Sequence, residues 1–410
     1  MTSRADHEKD PAYGLKLRLG SGRRLKLGER LGRGGEGSVY AAANRRNHAV
    51  KLYKAPDKPQ LATKIAAMVD AGLARQSPFA AFPVDVVRGG GAVRYGPQNV
   101  GGIINFVTRR IPEKPFAGDA SVQLQSSPSS TQSSPKKTAN LMLGGTAANG
   151  LGMALLYSGT RGSDWREHSQ THIDDVILKG RYQIKPAHAV YATVQHYEGR
   201  AEMPGGLTAA NFRQDPYQST RPLDGFWGRR TLAAAGYQHE QGQRKASVNT
   251  FFTQTLRSGF LDQGRFVSLS PRYYWVRGIE GHLAQGFSTG LNSHHEIGMG
   301  YRYINEASHE LRYRETTASG LLPTVSSRND RDTRGKTEAH AIYIDDRIDY
   351  GLWTITPGVR YERIDQQQVN LISNRPYTGD YSTALPALNV LYRLDEGWNL
   401  YANTEGSFGS

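Results

Sequence analysis

Gly32, Gly34 and Gly37, followed by Val39 and then by Lys51, make the most chemically suggestive spacing in the chain. A glycine-rich turn between antiparallel strands lets backbone close over phosphate oxygens, and a lysine on the next strand can pair with them. Histidine offers a second chemistry, since His168, His172, His188, His196, His294 and His295 invite a metal reading. The adjacent pair His294-His295 would send its two rings to opposite faces of a strand, and no metal site is assigned. The chain has no cysteine, which excludes thiolate nucleophiles, thiolate-metal centres and disulfides.

The elements that would position the glycines are legible. LGERLGRGGEGSVYAAANRRNHAVKLY reads as strand, glycine turn, strand, and a third strand carrying Lys51. Residues 1–83 thereby resemble the N-terminal lobe of a protein kinase, and the resemblance implies a nucleotide-binding remnant at Gly32, Gly34, Gly37 and Lys51. The departures decide against phosphoryl transfer. The expected helix, Leu61–Leu73, has no Glu to pair with Lys51, and neither an HRD nor a DFG triplet follows. No catalytic residue is assigned, and the chain reads as a non-enzyme.

Composition bounds the remainder. Apolar residues make up 38% of the 410, the mean hydropathy is -0.58, and no run of eighteen apolar residues occurs. That argues against membrane helices but not against a transmembrane β-barrel, whose strands alternate lipid-facing and lumen-facing side chains. Twenty-two Tyr beside twelve Phe and five Trp suit aromatic girdles at a membrane interface, and suit many soluble β proteins as well. The net charge of +14 asks for an anionic partner: nucleic acid, lipopolysaccharide or an acidic small ligand. The basic residues are dispersed, which disfavours nucleic acid. The first thirty residues lack the apolar core of a signal peptide.

Phe82–Val87 marks a change of style, and a seam is placed there. Asp85–Arg110 follows, with Gly89–Gly91 and Gly101-Gly102 bracketing Ala92-Val93 and Ile103–Val107. By itself this stretch reads as two tight β-hairpins. From about residue 119 the chain alternates with period two. Ile297, Met299, Tyr301 and Tyr303 share one side of a strand, as do Trp353, Ile355, Val359 and Tyr361 of another. Short turns near 148–150, 185–188, 241–243, 291–293, 349–351 and 395–397 alternate with long polar loops near 126–137, 161–171, 201–227, 258–271, 307–335 and 366–382. An up-and-down sheet would then place all short turns at one end and all long loops at the other. A propeller or long soluble meander is the alternative. About thirteen strands fit between Asp119 and Phe408, so the barrel reads as truncated.

The strings RGGGAVRYGPQNVGGIINFVTR, ALLYSGTRGSDWREHS, TQTLRSGFLDQG, YYWVRGIE, LPALNVLY and WNLYANTEGSFG carry a second resemblance. Residues from about 84 to 410 resemble the ferric-dicitrate receptor type of the TonB-dependent outer-membrane receptors. The resemblance implies an all-β fold, a barrel of about 22 strands with a plugged lumen, of which this chain holds a part. It implies three segments: 1–83 kinase-lobe-like, 84–118 the end of the plug, and 119–410 the first part of the barrel. It also implies the outer membrane as location, lipopolysaccharide and the TonB energy-transducing complex as partners, and ferric citrate as ligand. The iron arrives already chelated, so no protein cofactor is expected. The family's citrate-site arginines correspond to Arg257, Arg272 and Arg331. Each falls at a strand's outer end or in a long loop, where a guanidinium fork can bind a carboxylate. Taken singly, each could instead be a loop cation facing lipopolysaccharide. The plug core, the TonB box and the later strands are not found, so a fused fragment without transport activity is expected. A kinase-like nucleotide binder and an adhesin-like surface barrel are the alternatives.

Overall fold

The computed structural model describes residues 16–18, 24–34, 37–42, 49–53, 84–87, 92–96, 103–127, 134–290, 292–394 and 398–406. The chain packs as two units, Met1–Ala80 and Ala81–Ser410.

In the first unit, β1 (Lys16–Arg18), β2 (Arg24–Gly34), β3 (Gly37–Ala42) and β4 (Ala49–Tyr53) form an antiparallel sheet in sequence order. Gly34 pairs with Gly37 at the β2–β3 turn, and Val39 lies opposite Lys51. The helix expected over 61–73 lies outside the described residues.

The second unit opens with β5 (Val84–Val87), the helical turn α1 (Ala92–Tyr95) and β6 (Ile103–Phe106). β5 and β6 pair antiparallel, Val84 with Phe106. The two hairpins expected here are therefore one two-stranded ribbon with a helical turn in its connection. Gly96, at φ 113°, follows that turn in a conformation closed to side chains with a Cβ.

From Ala117 onward the chain is one continuous antiparallel sheet. Its first half is β7 (Ala117–Gln125), β8 (Lys136–Thr146), β9 (Leu151–Ser163), β10 (Gln170–Lys185), β11 (His188–Glu202), β12 (Gly225–Gln241) and β13 (Arg244–Asp262). Its second half is β14 (Phe266–Leu269), β15 (Arg272–Thr289), β16 (Ser293–Thr316), β17 (Arg328–Tyr350), β18 (Trp353–Asn370), β19 (Arg375–Arg393) and β20 (Asn399–Glu405). β14 and β15 both pair with β13 on one side and β16 on the other, so the fourteen segments fill thirteen strand positions. One unbroken sheet of neighbours in sequence order rules out the propeller. Among the described residues β7 and β20 do not pair with each other.

Register explains which face meets lipid. Leu283, Met299, Ile344 and Val359 are Cα partners in one row across four strands, and each is more than 40% exposed. The neighbouring row carries Tyr301, Ile342 and Tyr361, also exposed. Contiguous apolar rows of this kind on an antiparallel sheet are what a hydrocarbon phase covers, because every backbone group is already paired within the ladder.

Short connections at 147–150, 186–187, 242–243, 290–292 and 351–352 lie at one end of the sheet. The connections 126–135, 164–169, 203–224, 263–265, 317–327 and 371–374 lie at the other. The connection 203–224 holds an α-helix of its own, α2 (Ala209–Gln214), capped by the Thr208 hydroxyl, and 317–327 opens with a 3-10 turn at Thr317–Ser319. The loops expected at 258–271, 307–335 and 366–382 are mostly strand. β16 alone runs for 24 residues, about 80 Å at 3.3 Å per residue. Strands continue past the apolar rows because the hairpin ladder satisfies its own backbone whether or not lipid surrounds it.

The opposite face of the sheet is the inner one, and α1 packs on it against β17, β18 and β19. Val93 is buried with Tyr343 and Ala387. Arg94 donates from Nε and Nη2 to the Asp345 carboxylate at 2.6 and 2.7 Å. Arg360, 2% exposed, donates to the Val93 carbonyl at 3.1 Å and to Glu362 at 2.5 Å. Gly298 makes room for this lock, since a Cβ there would stand 2.6 Å from Asp345 Oδ1 and 2.9 Å from Arg94 Nη2. A second inner cluster joins Met142, Ala154, Leu156 and Ile177, with Ile111 laid over it from the segment entering β7.

Candidate functional site

One register row of the inner face, near the long-connection end, gathers three arginines and a glutamate. Arg257 of β13 is the Cα partner of Arg272 of β15. Arg272 is opposite Glu310 of β16, Glu310 opposite Thr333 of β17, Thr333 opposite Asn370 of β18, and Asn370 opposite Arg375 of β19. Residues two apart on a strand share a face, so Arg331 belongs to the same surface as Thr333. The expected arginines thus fall on β13, β15 and β17 of one wall, with β16 between the last two.

Two like charges directly opposite each other destabilise a ladder, so the Arg257–Arg272 pairing is not explained by sheet stability. Part of the repulsion is offset nearby. Arg257 lies over the Phe226 ring, 5.8 Å from its centroid. Glu310 takes a hydrogen bond from the Tyr274 hydroxyl at 2.8 Å, and Arg331 Nη1 stands 3.5 Å from its carboxylate. Just toward the hairpin tip, Asp330 is clamped by Arg312 at 2.6 Å and by Arg314 at 2.5 Å, which fixes the strand on which Arg331 sits.

Cavities flank the row. One of about 430 Å³ holds Arg257, Arg230, Gln195, Tyr197, Phe226 and Thr255. Within it Arg230 donates to the Gln195 side chain at 2.8 Å. The other, about 300 Å³, is lined by Glu310, Arg331, Thr333, Gln368, Asn370, Arg375 and Tyr377. Arg257 and Arg331 therefore line different recesses, with Arg272 and Glu310 between them. Such a wall can bind an anion presenting several carboxylates, each through charge-assisted hydrogen bonds. Glu310, Arg230 and Arg375 were not singled out in the sequence. The signal for Glu310 and Arg375 is register, which becomes countable only once hairpin lengths are known.

The other expected sites fare differently. Gly32, Gly34, Gly37 and Lys51 have their backbone in β2, β3 and β4, and their side chains lie outside the description. His294 contacts Ser288 at 3.2 Å and His295 contacts Asp346 at 2.8 Å, so the adjacent rings take separate partners. Among the described residues no group of three or more His, Asp or Glu is arranged to hold a metal ion.

Residues 164–409 match the family described as TonB dependent receptor-like, beta-barrel. The chain belongs to that family. This receptor chain is also similar to the solved structure of the ferric citrate transporter FecA in its unliganded form, with 59% identity and a TM-score of 0.76. That match covers 80% of the receptor chain and 49% of FecA, so the chain spans about half of FecA's length. The ferric-catecholate import receptor Fiu from E. coli K12, in its open form, is 14% identical, with TM-score 0.61 over 78% of this chain and 59% of its own. The ferric preacinetobactin receptor BauA from Acinetobacter baumannii is likewise 14% identical, with TM-score 0.62 over 78% of this chain and 52% of its own. These last two establish the receptor fold alone. None of the matches supports the kinase-lobe reading of residues 1–83, which rests on its strand-turn-strand pattern.

Proposed function

We propose that this receptor chain binds ferric citrate at the long-connection mouth of an outer-membrane barrel, as a stage of iron-chelate uptake energised by the TonB complex. The observation that carries the reading is the placement of Arg257, Arg272 and Arg331 on one inner wall, two of them as direct register partners. The 59% identity to FecA supports the choice of ligand. Ferric dicitrate is anionic and offers carboxylates to guanidinium forks that cannot lose their charge. The wall binds and orients; no bond of the chelate need be made or broken, which fits a receptor rather than an enzyme.

An outward row supports the orientation. Lys137, Arg161, His172 and Arg200 are successive Cα partners across β8–β11, all exposed and on the same face as the apolar rows, toward the long-connection end. Cations at that level meet the phosphates of outer-leaflet lipopolysaccharide.

The test is a ferric citrate titration of the 410-residue chain folded in detergent. Wild type should bind, and Arg257→Ala, Arg272→Ala and Arg331→Ala should each weaken binding roughly tenfold. No binding by wild type, or a triple variant that binds as wild type does, overturns the reading.

A further inference from the structure

The register row that holds Arg257 and Arg272 ends on a cation that neither motif nor resemblance identified. Arg375 is the first residue of β19, opposite Asn370, and it faces the 300 Å³ recess together with Arg331. Its side chain is exposed, and among the described residues no carboxylate lies within ion-pair distance of it. Several arginines of the mouth are engaged with acids, Arg331 with Glu310 and Arg312 and Arg314 with Asp330, while Arg257 lies over the Phe226 ring. Among the described residues the Arg375 fork has no acid partner, which leaves its donors for a guest.

The rest of the recess suits a carboxylate-rich guest. Thr333, Gln368, Asn370 and Tyr377 bring hydroxyl and amide donors to the same wall, in two adjacent register rows, Thr333–Asn370–Arg375 and Gly335–Gln368–Tyr377. Glu310 is the single acid lining it, and that carboxylate already accepts from Tyr274 and faces Arg331. A planar guanidinium with unused donors, beside neutral donors and a second arginine, recognises a carboxylate bidentately.

We infer that Arg331 and Arg375 form a carboxylate subsite distinct from the Arg257–Arg272 pair, with Arg375 as a ligand-contacting residue for a hydroxy-polycarboxylate. The inference rests on the proposed ferric citrate reading for its physiological guest, but the subsite's chemistry asks only for a polycarboxylate. A guest spanning both subsites is held at two separated points, which selects for a chelate with more than one citrate arm over a single small carboxylate.

The experiment titrates the full chain, folded in detergent, with ferric citrate and separately with iron-free citrate. Arg375→Gln should weaken ferric citrate binding roughly tenfold. Arg375→Lys, which keeps the charge and loses the fork, should fall between the two. Arg244→Gln, at the short-turn end and bonded to Gln285, serves as the control and should bind as wild type. Circular dichroism of each variant checks that the strands are intact. If wild type binds ferric citrate and Arg375→Gln binds it equally well, the subsite is refuted while the parent reading stands. If wild type binds only iron-free citrate, the parent reading fails and a loss in Arg375→Gln still upholds the subsite. If wild type binds neither, both fall.

Discussion

Glu310 interrupts the arginine row, opposite Arg272 and beside Arg331, with the Tyr274 hydroxyl donating to its carboxylate. A negative charge in an anion site weakens the site, so its presence marks a compromise between holding the wall together and holding a guest. Glu310→Gln should tighten ferric citrate binding several-fold by removing repulsion at close range, measured by the same titration. An unchanged or weaker affinity would assign Glu310 to orienting Arg331 instead. Arg94 poses the converse case. Asp345 is 4% exposed and takes two hydrogen bonds from Arg94, so Arg94→Ala strands a buried carboxylate. The expected cost is about 3 kcal/mol, read from the thermal midpoint, with faster protease cutting between residues 84 and 110. Neither role was visible in the letters. The Arg94–Asp345 contact joins residues 251 apart, and no local pattern announces such a pair.

At the level of strands, the period-two alternation was readable where one face meets lipid and the other does not. Met299 and Tyr301 on β16, and Val359 and Tyr361 on β18, are exposed apolar residues on the sides the alternation gave them. Beyond that belt both faces of a hairpin meet water, the alternation fades, and strand becomes indistinguishable from polar loop. That is why 307–335 and 366–382 read as loops although β16, β17, β18 and β19 run through them. Arg375 was hidden by the same effect. The tight turns of one end were legible because glycine, asparagine and proline mark them wherever they fall, but 263–265 and 371–374 at the other end are equally short, so the alternation of short turns with long loops holds only in part. Inner glycines have their own logic. Gly300 lies opposite Tyr343, and a Cβ there would come within 2.3 Å of the ring that covers Val93. Gly300→Val should cost about 1–3 kcal/mol through overpacking. The tyrosine's displacement should also raise protease access to α1, which a purely local effect would leave unchanged.

For the molecule in its membrane, the two faces of the sheet should respond oppositely to charge. Met299→Arg places a cation in the apolar row and should disfavour folding into lipid vesicles by about 2–4 kcal/mol. Ala284→Arg, on the inner face, enters no hydrocarbon and should leave insertion nearly intact even if it disturbs packing at that buried position. Equal penalties for both would contradict the assignment of faces. The hairpins that outrun the belt carry a further consequence. From Tyr301 to Thr316 the β16 backbone climbs about 50 Å, and the guanidinium groups ride on neighbouring arms of this tall palisade. An anion gripping two arms at once becomes a cross-brace, trading the arms' sway for its own capture. Occupancy should therefore be audible as slower amide exchange in 306–316 and 328–337, while the lipid-girdled stretch below keeps its pace.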